Sequence, residues 1–455
     1  MRHDLTQGPI ARHILNLAVP ASVGFFFQTM YNVVDQVCAG RLISEQALAS
    51  LTIAFPVFFI LIAVSHGLYA GGAALVSNAV GEGDEDKARQ FTGQVISAGI
   101  LSSFVVMIVG WGIAPSLFRV LGAEGAYLEM ALDYMNIIFG GTLFFLMANV
   151  LNVPLMARGN TKVFRNSLIV GFLLNAVLDP LFIMLGYGIR GIALATVVIQ
   201  MVNALYIGWS AIRAGCLCRK TLSFLFPNPA CQRELMRYSI PASLNMATVA
   251  IGIFVVTYFV SGFGVAATAA YGLAMRVEQI ALLPGIGLNI AVLSIVGQNY
   301  GAGRMDRVKE AITVSLKFGF ILWVMGGSLI LFGGNFLMRM FLDERVVMNA
   351  DLVLRTGASY LWIAAITLWA YVILFIVVNA LQGMKRPMFA IWIGIYRQLL
   401  APVACIHLLT SVWGFELYGV WWGVFISTWS GAIIAWLFMR HILRTMEECG
   451  IPERI

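Results

Sequence analysis

The chain has 455 residues, of which 60% are hydrophobic and only 11% are charged, and its mean hydropathy is +0.87. Soluble domains carry about 25% charged residues, so the composition excludes a soluble protein and indicates an integral membrane protein with many spans. The net charge of +7 does not indicate nucleic-acid binding, because Lys and Arg concentrated in cytoplasmic loops explain it better.

The first apolar stretch, residues 14–40, is long enough to cross a bilayer, since roughly 20 helical residues span the hydrocarbon core. Its polar residues Gln28, Asn32 and Asp35 fall on one helical face, within about 60° of each other. A carboxylate inside a membrane helix costs about 2.5–3.5 kcal/mol, so this face is predicted to look into protein or water. Asp35 is therefore a candidate for ion coupling, and Gln28 and Asn32 are candidates for a substrate cavity. The alternative is that Asp35 only holds helices together.

Pro20 lies near the beginning of the same stretch, where it cannot donate a hydrogen bond to the carbonyl of Asn16. The missing bond predicts a locally soft helix, and we interpret Pro20 as a hinge. The alternative is a static kink, which is common in membrane helices.

Apolar runs separated by short polar loops predict twelve membrane spans, and therefore an all-α integral membrane fold. The predicted spans are residues 14–40, 46–72, 93–118, 130–155, 166–186, 190–213, 238–262, 266–297, 313–336, 353–382, 390–411 and 416–440. With both termini in the cytoplasm, most Lys and Arg residues of the loops lie on the inner side, as the positive-inside rule requires.

The sequence also contains an internal repeat. The first span begins with LAVPAS (Leu17–Ser22) and the seventh begins with YSIPAS (Tyr238–Ser243). Each half holds six spans, an even number, so both copies enter the membrane with the same polarity. They form two parallel six-helix repeats, which is a transporter architecture. The predicted divisions are an N-terminal bundle with the ion-coupling site at 1–213, a cytoplasmic linker at 214–237 and a C-terminal bundle at 238–455.

The fifth span carries Asn175 and Asp179, which are four residues apart and share a helical face. Pro180 cannot donate to the carbonyl of Ala176, which leaves that oxygen free within one turn of the carboxylate. Together with Asp35, these groups predict an oxygen-rich pocket suited to a proton or a small hard cation. The alternative is that Asp179 only caps a helix that is broken at Pro180.

The second half has no acid at the corresponding positions, where Val256, Arg397 and Ala401 stand. Glu278 is the rival acid in that half, and we interpret Glu278 and Asn379 as further candidates for a substrate cavity. A structural alternative stands beside both, since polar groups in membrane helices usually bond to neighbouring helices.

The twelve spans in two parallel halves, the first helix with its Pro and Asp, and two sequence runs resemble the multidrug and toxic compound extrusion (MATE) transporters. The two runs are NAVLDP at Asn175–Pro180 and VGQNYGAG at Val296–Gly303. The resemblance covers essentially the whole chain and is closest to the DinF-like branch. It implies a V-shaped pair of six-helix bundles and the export of cationic amphiphiles against an inward flow of H⁺ or Na⁺.

By this resemblance the ion-coupling residues of the family correspond to Asp35, Tyr134, Asn175, Asp179 and Thr196. A Na⁺ ion, if it is the coupling ion, is expected at the first-half carboxylates and the amide of Asn175.

The resemblance also places the family's bent first helix at Pro20. The related NorM-like branch carries acids in helices 7 and 10, where this sequence has Asn245 and Tyr371. That departure argues against a coupling site in the second half.

The function expected from the sequence is thus a multidrug efflux antiporter for cationic amphipathic compounds, driven by H⁺ or Na⁺. A lipid-linked precursor flippase of the same superfamily is the first alternative, although such proteins tend to carry cavity arginines for phosphates. A membrane enzyme is the second, and the absence of HExxH and GxSxG motifs from the sequence argues against it.

The remaining expectations concern partners and location. We expect no cofactor, no metal site other than the possible Na⁺ site, and no nucleic-acid partner. The partners are small organic cations and the lipid bilayer. The protein is expected to be a monomer in a bacterial inner membrane, with many spans and both termini cytoplasmic.

Overall fold

The computed structural model describes residues 4–120, 123–341 and 350–448, and these residues contain helices but no β-strand. The helices of the first half are α1 (Ile10–Cys38), α2 (Glu45–Gly81), α3 (Glu85–Val120), α4 (Gly125–Gly140), α5 (Thr142–Val150), α6 (Val153–Met156), α7 (Lys162–Phe182), α8 (Gly188–Arg213) and α9 (Arg219–Ser223). Those of the second half are α10 (Pro229–Ser261), α11 (Val265–Gly301), α12 (Met305–Phe341), α13 (Ala350–Gly383), α14 (Met388–Ile395), α15 (Ala401–His407) and α16 (Glu416–Glu448). Short π-helical turns are Ala39–Ile43, Ile183–Tyr187, Tyr396–Leu400 and Leu408–Val412.

The number of membrane spans agrees with the prediction. Ten helical stretches of the described residues are long and apolar enough to cross a membrane, and the pair α4 and α5–α6, bent by 48°, makes an eleventh. One of the ten, the stretch Lys162–Arg213, contains two helices, α7 and α8, which pack against each other on either side of a turn with a non-helical glycine, Gly186. Counting them separately gives twelve spans and confirms the predicted all-α membrane fold.

The internal repeat is visible in the backbone. The turn between α2 and α3 contains Gly83 at φ +75°, and the turn between α11 and α12 contains Gly303 at φ +70°. Both angles lie in the left-handed region that favours glycine, because a side chain there would clash with the backbone. The two halves therefore end their second span in the same way.

Contacts divide the chain into two compact units. Unit 1 consists of Met1–Gln7, Val23–Ala247 and Gly297–Ala302, and unit 2 consists of Gly8–Ser22, Thr248–Val296 and Gly303–Ile455. The predicted linker at 214–237 therefore belongs to unit 1. The first part of α1 belongs to unit 2, although the predicted N-terminal bundle includes it. The first part of α10 belongs to unit 1, although the predicted C-terminal bundle includes its residues from 238 onward. These two segments are thus exchanged relative to the predicted bundles.

Small residues explain this exchange. In unit 1, a Cβ added to Gly67 or Gly71 of α2 would meet Ser243 or Ser239 of α10 within 2.3 Å. In unit 2, a Cβ added to Gly287 of α11 would meet the Ser22 hydroxyl of α1 at 2.1 Å. Helices approach this closely only where small residues remove side chains from the interface, so each exchanged segment packs almost backbone to backbone.

The predicted linker is an ordered part of unit 1. The buried side chain of Gln94 on α3 donates hydrogen bonds to the carbonyls of Phe224 and Phe226, and its oxygen accepts from the backbone of Asn228. Gly93 lets this segment come close, because an added Cβ would lie 2.8 Å from Phe224. A single buried amide therefore fixes residues 224–228 against α3.

Candidate ion-binding site

Asp35 lies one turn before the end of α1, and its side chain is buried, with 9% of its surface exposed. Its Oδ1 accepts a hydrogen bond of 2.7 Å from Nδ2 of Asn175, which is fully buried on α7. The first and fifth predicted spans thus meet at the two polar residues that the sequence singled out.

Asp179 lies one helical turn after Asn175 and is also fully buried. It lies near enough to Asp35 for the two carboxylates to act directly on one another. Asn175 and Asp35 lie beside it, but no described residue donates a hydrogen bond of proper geometry to either oxygen of Asp179. Oδ1 of Asn175 also lacks a partner among the described residues. Three buried acceptor oxygens of the site therefore have no donor within the described part of the chain.

Tyr134 on α4 and Thr196 on α8 are buried, as expected for members of this site. The phenol of Tyr134 is close enough to both carboxylates to feel their charge. The Thr196 hydroxyl donates to the carbonyl of Ile192 at 3.0 Å, which leaves its lone pairs available. The structure brings all five predicted coupling residues to one region of unit 1, although their role in coupling stays a prediction.

Tyr31 belongs to the same region and was not identified from the sequence. Its hydroxyl is buried near Thr196 and Asp35. Tyr31 precedes Asp35 by four residues, so the two lie on one face of α1. That spacing was the available signal, but the aromatic residues of this helix otherwise look like lipid-facing or packing residues.

The predicted substrate-cavity residues do not gather at this site. Gln28 and Asn32 are exposed on α1, in contrast to Asp35. Glu278 is buried in unit 2, where its Oε2 accepts a hydrogen bond of 2.6 Å from the Tyr360 hydroxyl. Asn379 is half-buried in unit 2, and its amide donates to the carbonyl of Phe375 in the same helix. A role in substrate binding stays a prediction for all four.

Pro20 is buried within α1, and the helix continues through it. The division between the units falls between Ser22 and Val23, two residues further along. The predicted hinge therefore lies where α1 passes from unit 2 to unit 1. The structure shows one conformation, and bending stays a prediction.

The atoms that the site offers to a ligand are hard oxygen ligands, and two of the groups that carry them are carboxylates. Two carboxylates and an amide oxygen suit a proton or a small cation that prefers oxygen ligands. The described residues contain no group of three or more His, Cys, Asp or Glu that could hold a metal ion. Two ionised carboxylates side by side in a low-dielectric interior repel each other strongly, so the pair needs a positive partner.

Comparison with known proteins adds to this geometry. The MatE family matches residues 20–181 and 241–406, two segments that begin at the corresponding prolines of the internal repeat. The chain is 27% identical over 428 residues to the probable multidrug resistance protein YoeA of Bacillus subtilis, covering 89% of this chain and 88% of the relative. It is 26% identical over 323 residues to an FAD transporter of Shewanella oneidensis, covering 70% and 71% of the two chains. A solved outward-facing structure of a multidrug resistance MATE family transporter of the MOP superfamily superposes with a TM-score of 0.91 at 24% identity, covering 98% of both chains.

Proposed function

Because the chain belongs to the MatE family, and is a membrane transporter and not an enzyme, we propose that it exports amphipathic organic cations in exchange for H⁺ or Na⁺. The coupling ion binds in unit 1 between Asp35 and Asp179. Relatives whose names refer to multidrug resistance or multidrug export support the export of small organic compounds. We further propose that the protein lies in the bacterial inner membrane as a monomer with both termini in the cytoplasm.

The observation that carries this proposal is the state of Asp179. Its carboxylate is fully buried, faces a second carboxylate and receives no hydrogen bond from the described residues. A buried charge without a partner is strongly destabilising, whereas a proton or a small cation shared by the two acids removes the repulsion. The site is therefore complete only with a positive ligand.

Binding of that ligand changes the interaction between α1 and α7. With a proton or cation between them, Asp35 and Asp179 hold the two helices together; without it, the carboxylates push them apart. Asn175 bonds to Asp35 and keeps its carboxylate turned toward α7. An ion can shift a conformational equilibrium only by its difference in affinity for the two states, and the loss of this repulsion provides such a difference.

Export of anionic compounds is the second candidate function. Arg397 is half-buried in unit 2 with its guanidinium 5.2 Å from the ring centre of Tyr371, and no carboxylate of the described residues forms an ion pair with it. An arginine in a membrane helix is suited to a carboxylate or a phosphate of a substrate. The relative that is an FAD transporter makes a phosphate-bearing substrate a reasonable alternative.

Purified protein in vesicles separates these possibilities. A fluorescent organic cation and a flavin nucleotide are loaded in turn, and efflux is measured with an imposed pH gradient, with a Na⁺ gradient and with neither. The proposal expects efflux of the cation that accelerates with one gradient. Efflux that responds to neither gradient contradicts ion coupling, and gradient-driven efflux of the flavin alone favours the second candidate.

A further inference from the structure

Unit 1 contains a cavity of about 340 Å³ at the end that the predicted orientation places outside the cell. Ile43, Asp133, Gly186 and Arg190 are among the residues that line it. The charged residues in its wall are Asp133 and Arg190, and Tyr187 is the other titratable group there. The cavity therefore has one acidic and one basic side chain in a wall that is otherwise mostly apolar.

Two of its walls continue directly into the ion-binding site. Ile43 ends the π-helical turn after α1 and follows Asp35 by eight residues. Gly186 lies in the turn after α7 and follows Asp179 by seven residues. At ~1.5 Å per residue, both carboxylates lie roughly 10–12 Å from the cavity wall along their own helices.

The other two walls come from α4 and α8. Asp133 immediately precedes Tyr134, which is buried at the site. Arg190 precedes Thr196 by six residues on α8, which is about 9 Å of helix. The four chain segments that supply the site therefore also line the cavity, which lies further toward the outer side than the site along α1, α7 and α8.

An ion pair spans the cavity wall. Arg190 donates to Oδ1 of Asp133 at 2.8 Å, with 60% and 35% of the two side chains exposed. Such an exposed pair contributes little to folding stability. The other ion pairs among the described residues involve residues 82–89, 158 and 220, in loops and helix ends at the opposite membrane face of the predicted topology. Asp133 and Arg190 thus form a charge pair at the cavity mouth, away from the other ion pairs of the described residues.

Two buried residues lie between Asp35 and Ile43 along the chain. They are Cys38, the last residue of α1, and Ala39, the first residue of the turn that ends at Ile43. The thiol of Cys38 is near enough to Asp35 and Asp179 to feel both charges. Cys38 therefore lies beside both carboxylates, about one helical turn from Asp35 in the direction of Ile43.

We propose that this cavity is the access vestibule through which the coupling cation reaches Asp35 and Asp179 from outside. Asp133 attracts a small monovalent cation into the vestibule, and Arg190 occupies the Asp133 carboxylate until the cation displaces it. A carboxylate in a cleft with low-dielectric walls raises the local cation concentration, and this effect weakens as ionic strength rises. The proposal rests on the proposed function, because it assigns an access route to that same site.

Kinetics with matched variants provide the first test. Asp133→Asn removes the attracting charge and should raise the outside ion concentration for half-maximal efflux about threefold to tenfold, with the maximal rate kept. Arg190→Gln frees Asp133 and should lower that concentration. Asp133→Glu restores the charge and should restore the wild-type value.

Glu129→Gln is the control, since Glu129 is exposed on the same helix one turn away and does not line the cavity. Adding the salt of a large inert cation should shrink the difference between Asp133→Asn and the wild type.

Cys38 provides a second test that does not depend on transport. In a full-length variant with the other five cysteines replaced by serine, Ag⁺ serves as a small cation that reacts with thiols. Externally added Ag⁺ should block Cys38 against later alkylation, more slowly in Asp133→Asn, faster in Arg190→Gln and unchanged in Glu129→Gln. If Ag⁺ never reaches Cys38, or reaches it at one rate in all four proteins, the vestibule is wrong.

The two proposals fail in different ways. If Asp133 controls Ag⁺ access but efflux ignores every ion gradient, the vestibule stands and ion coupling fails. If efflux is coupled but neither the half-maximal ion concentration nor Ag⁺ access depends on Asp133, coupling stands and the vestibule is overturned.

Discussion

Unit 1 and unit 2 both bury a carboxylate, but they surround it differently. In unit 2, Glu278 accepts a 2.6 Å hydrogen bond from Tyr360, and the charge of Arg397 acts favourably on it. In unit 1, Asp179 faces Asp35 and receives no hydrogen bond from the described residues. A carboxylate with built-in donors is complete without a ligand, and one without them needs a proton or a cation. Under the proposed function, hydrogen-bond satisfaction, more than burial, separates Asp179, the proposed ion ligand, from Glu278.

The internal repeat makes this comparison unusually direct. Asn175 of unit 1 corresponds to Arg397 of unit 2, and Asp35 corresponds to Val256. Val256 is buried in the apolar core of unit 2. One scaffold thus carries an acid and an amide in the first copy and a valine and an arginine in the second. Ala401 also stands in place of Asp179, so the second copy has no carboxylate at these three positions and carries a positive charge instead.

The strongest way to break the comparison is to neutralise the acids of unit 1. Asp35→Asn or Asp179→Asn removes the repulsion that the coupling ion relieves, so ion-driven efflux should fall by more than about tenfold while the protein still inserts. Efflux from vesicles under the effective gradient measures this, with Glu129→Gln as the exposed-acid control. Wild-type efflux by Asp35→Asn would show that the ion binds elsewhere.

A smaller effect should follow from removing the amide between the acids. Asn175→Leu keeps the approximate volume but loses the 2.7 Å bond to Asp35. The loss of a hydrogen bond to a charged group, about 1.5–3 kcal/mol, should change the half-maximal ion concentration by about tenfold. For H⁺ this concentration should fall, because the ion-free carboxylate loses its donor, and for Na⁺ it should rise, because the amide oxygen is lost as a ligand. The half-maximal ion concentration measures it.

Asn149→Leu is the matched control for this change, because the Asn149 side chain donates to Phe145 within its own helix and has no other hydrogen bond among the described residues. An unchanged ion dependence in Asn175→Leu, or an equal change in Asn149→Leu, contradicts a specific role for Asn175.

The sequence was sufficient to predict the pairing of Asp35 with Asn175 and Asp179. Charged and amide groups are costly in membrane helices, so their positions stand out against apolar neighbours, and helical spacing identifies the face. The twelve spans followed from length and hydropathy for the same reason. The repeat was recognisable because its prolines and glycines impose backbone geometry, as at Gly83 and Gly303.

Other features could not be predicted because their residues have ordinary alternatives. Tyr31 looks like a packing aromatic until the fold brings it to Thr196. The exchanged segments of α1 and α10 depend on Gly67, Gly71 and Gly287, and small residues are frequent throughout membrane helices. The spacing of four between Gly67 and Gly71 was a weak signal of close packing, but it does not name the partner helix. No sequence pattern predicts the packing of the linker against Gln94 either.

The hinge offers a third way to sharpen the comparison, because both copies have a proline at the same place. Pro20→Ala restores a hydrogen bond in α1, the helix that carries Asp35, and should slow turnover about threefold while leaving substrate binding intact. Pro241→Ala makes the same change in α10, which carries Val256 in place of the acid, and should affect turnover less. Equal turnover in both variants contradicts a special role for the hinge in α1.

The smallest expected effect on coupling concerns Glu278. Because Tyr360 already satisfies this carboxylate, Glu278→Gln should keep ion-driven efflux within about twofold of the wild type, since a neutral acceptor can replace the charged one at this bond. Tyr360→Phe should be more harmful to folding than to coupling, because it leaves the buried Glu278 without its donor, at a cost of about 1–3 kcal/mol. Thermal unfolding in detergent and gradient-driven efflux, measured on the same preparations, separate the two effects. Loss of coupling in Glu278→Gln with normal unfolding would place an ion-binding acid in unit 2 and remove the distinction between satisfied and unsatisfied carboxylates.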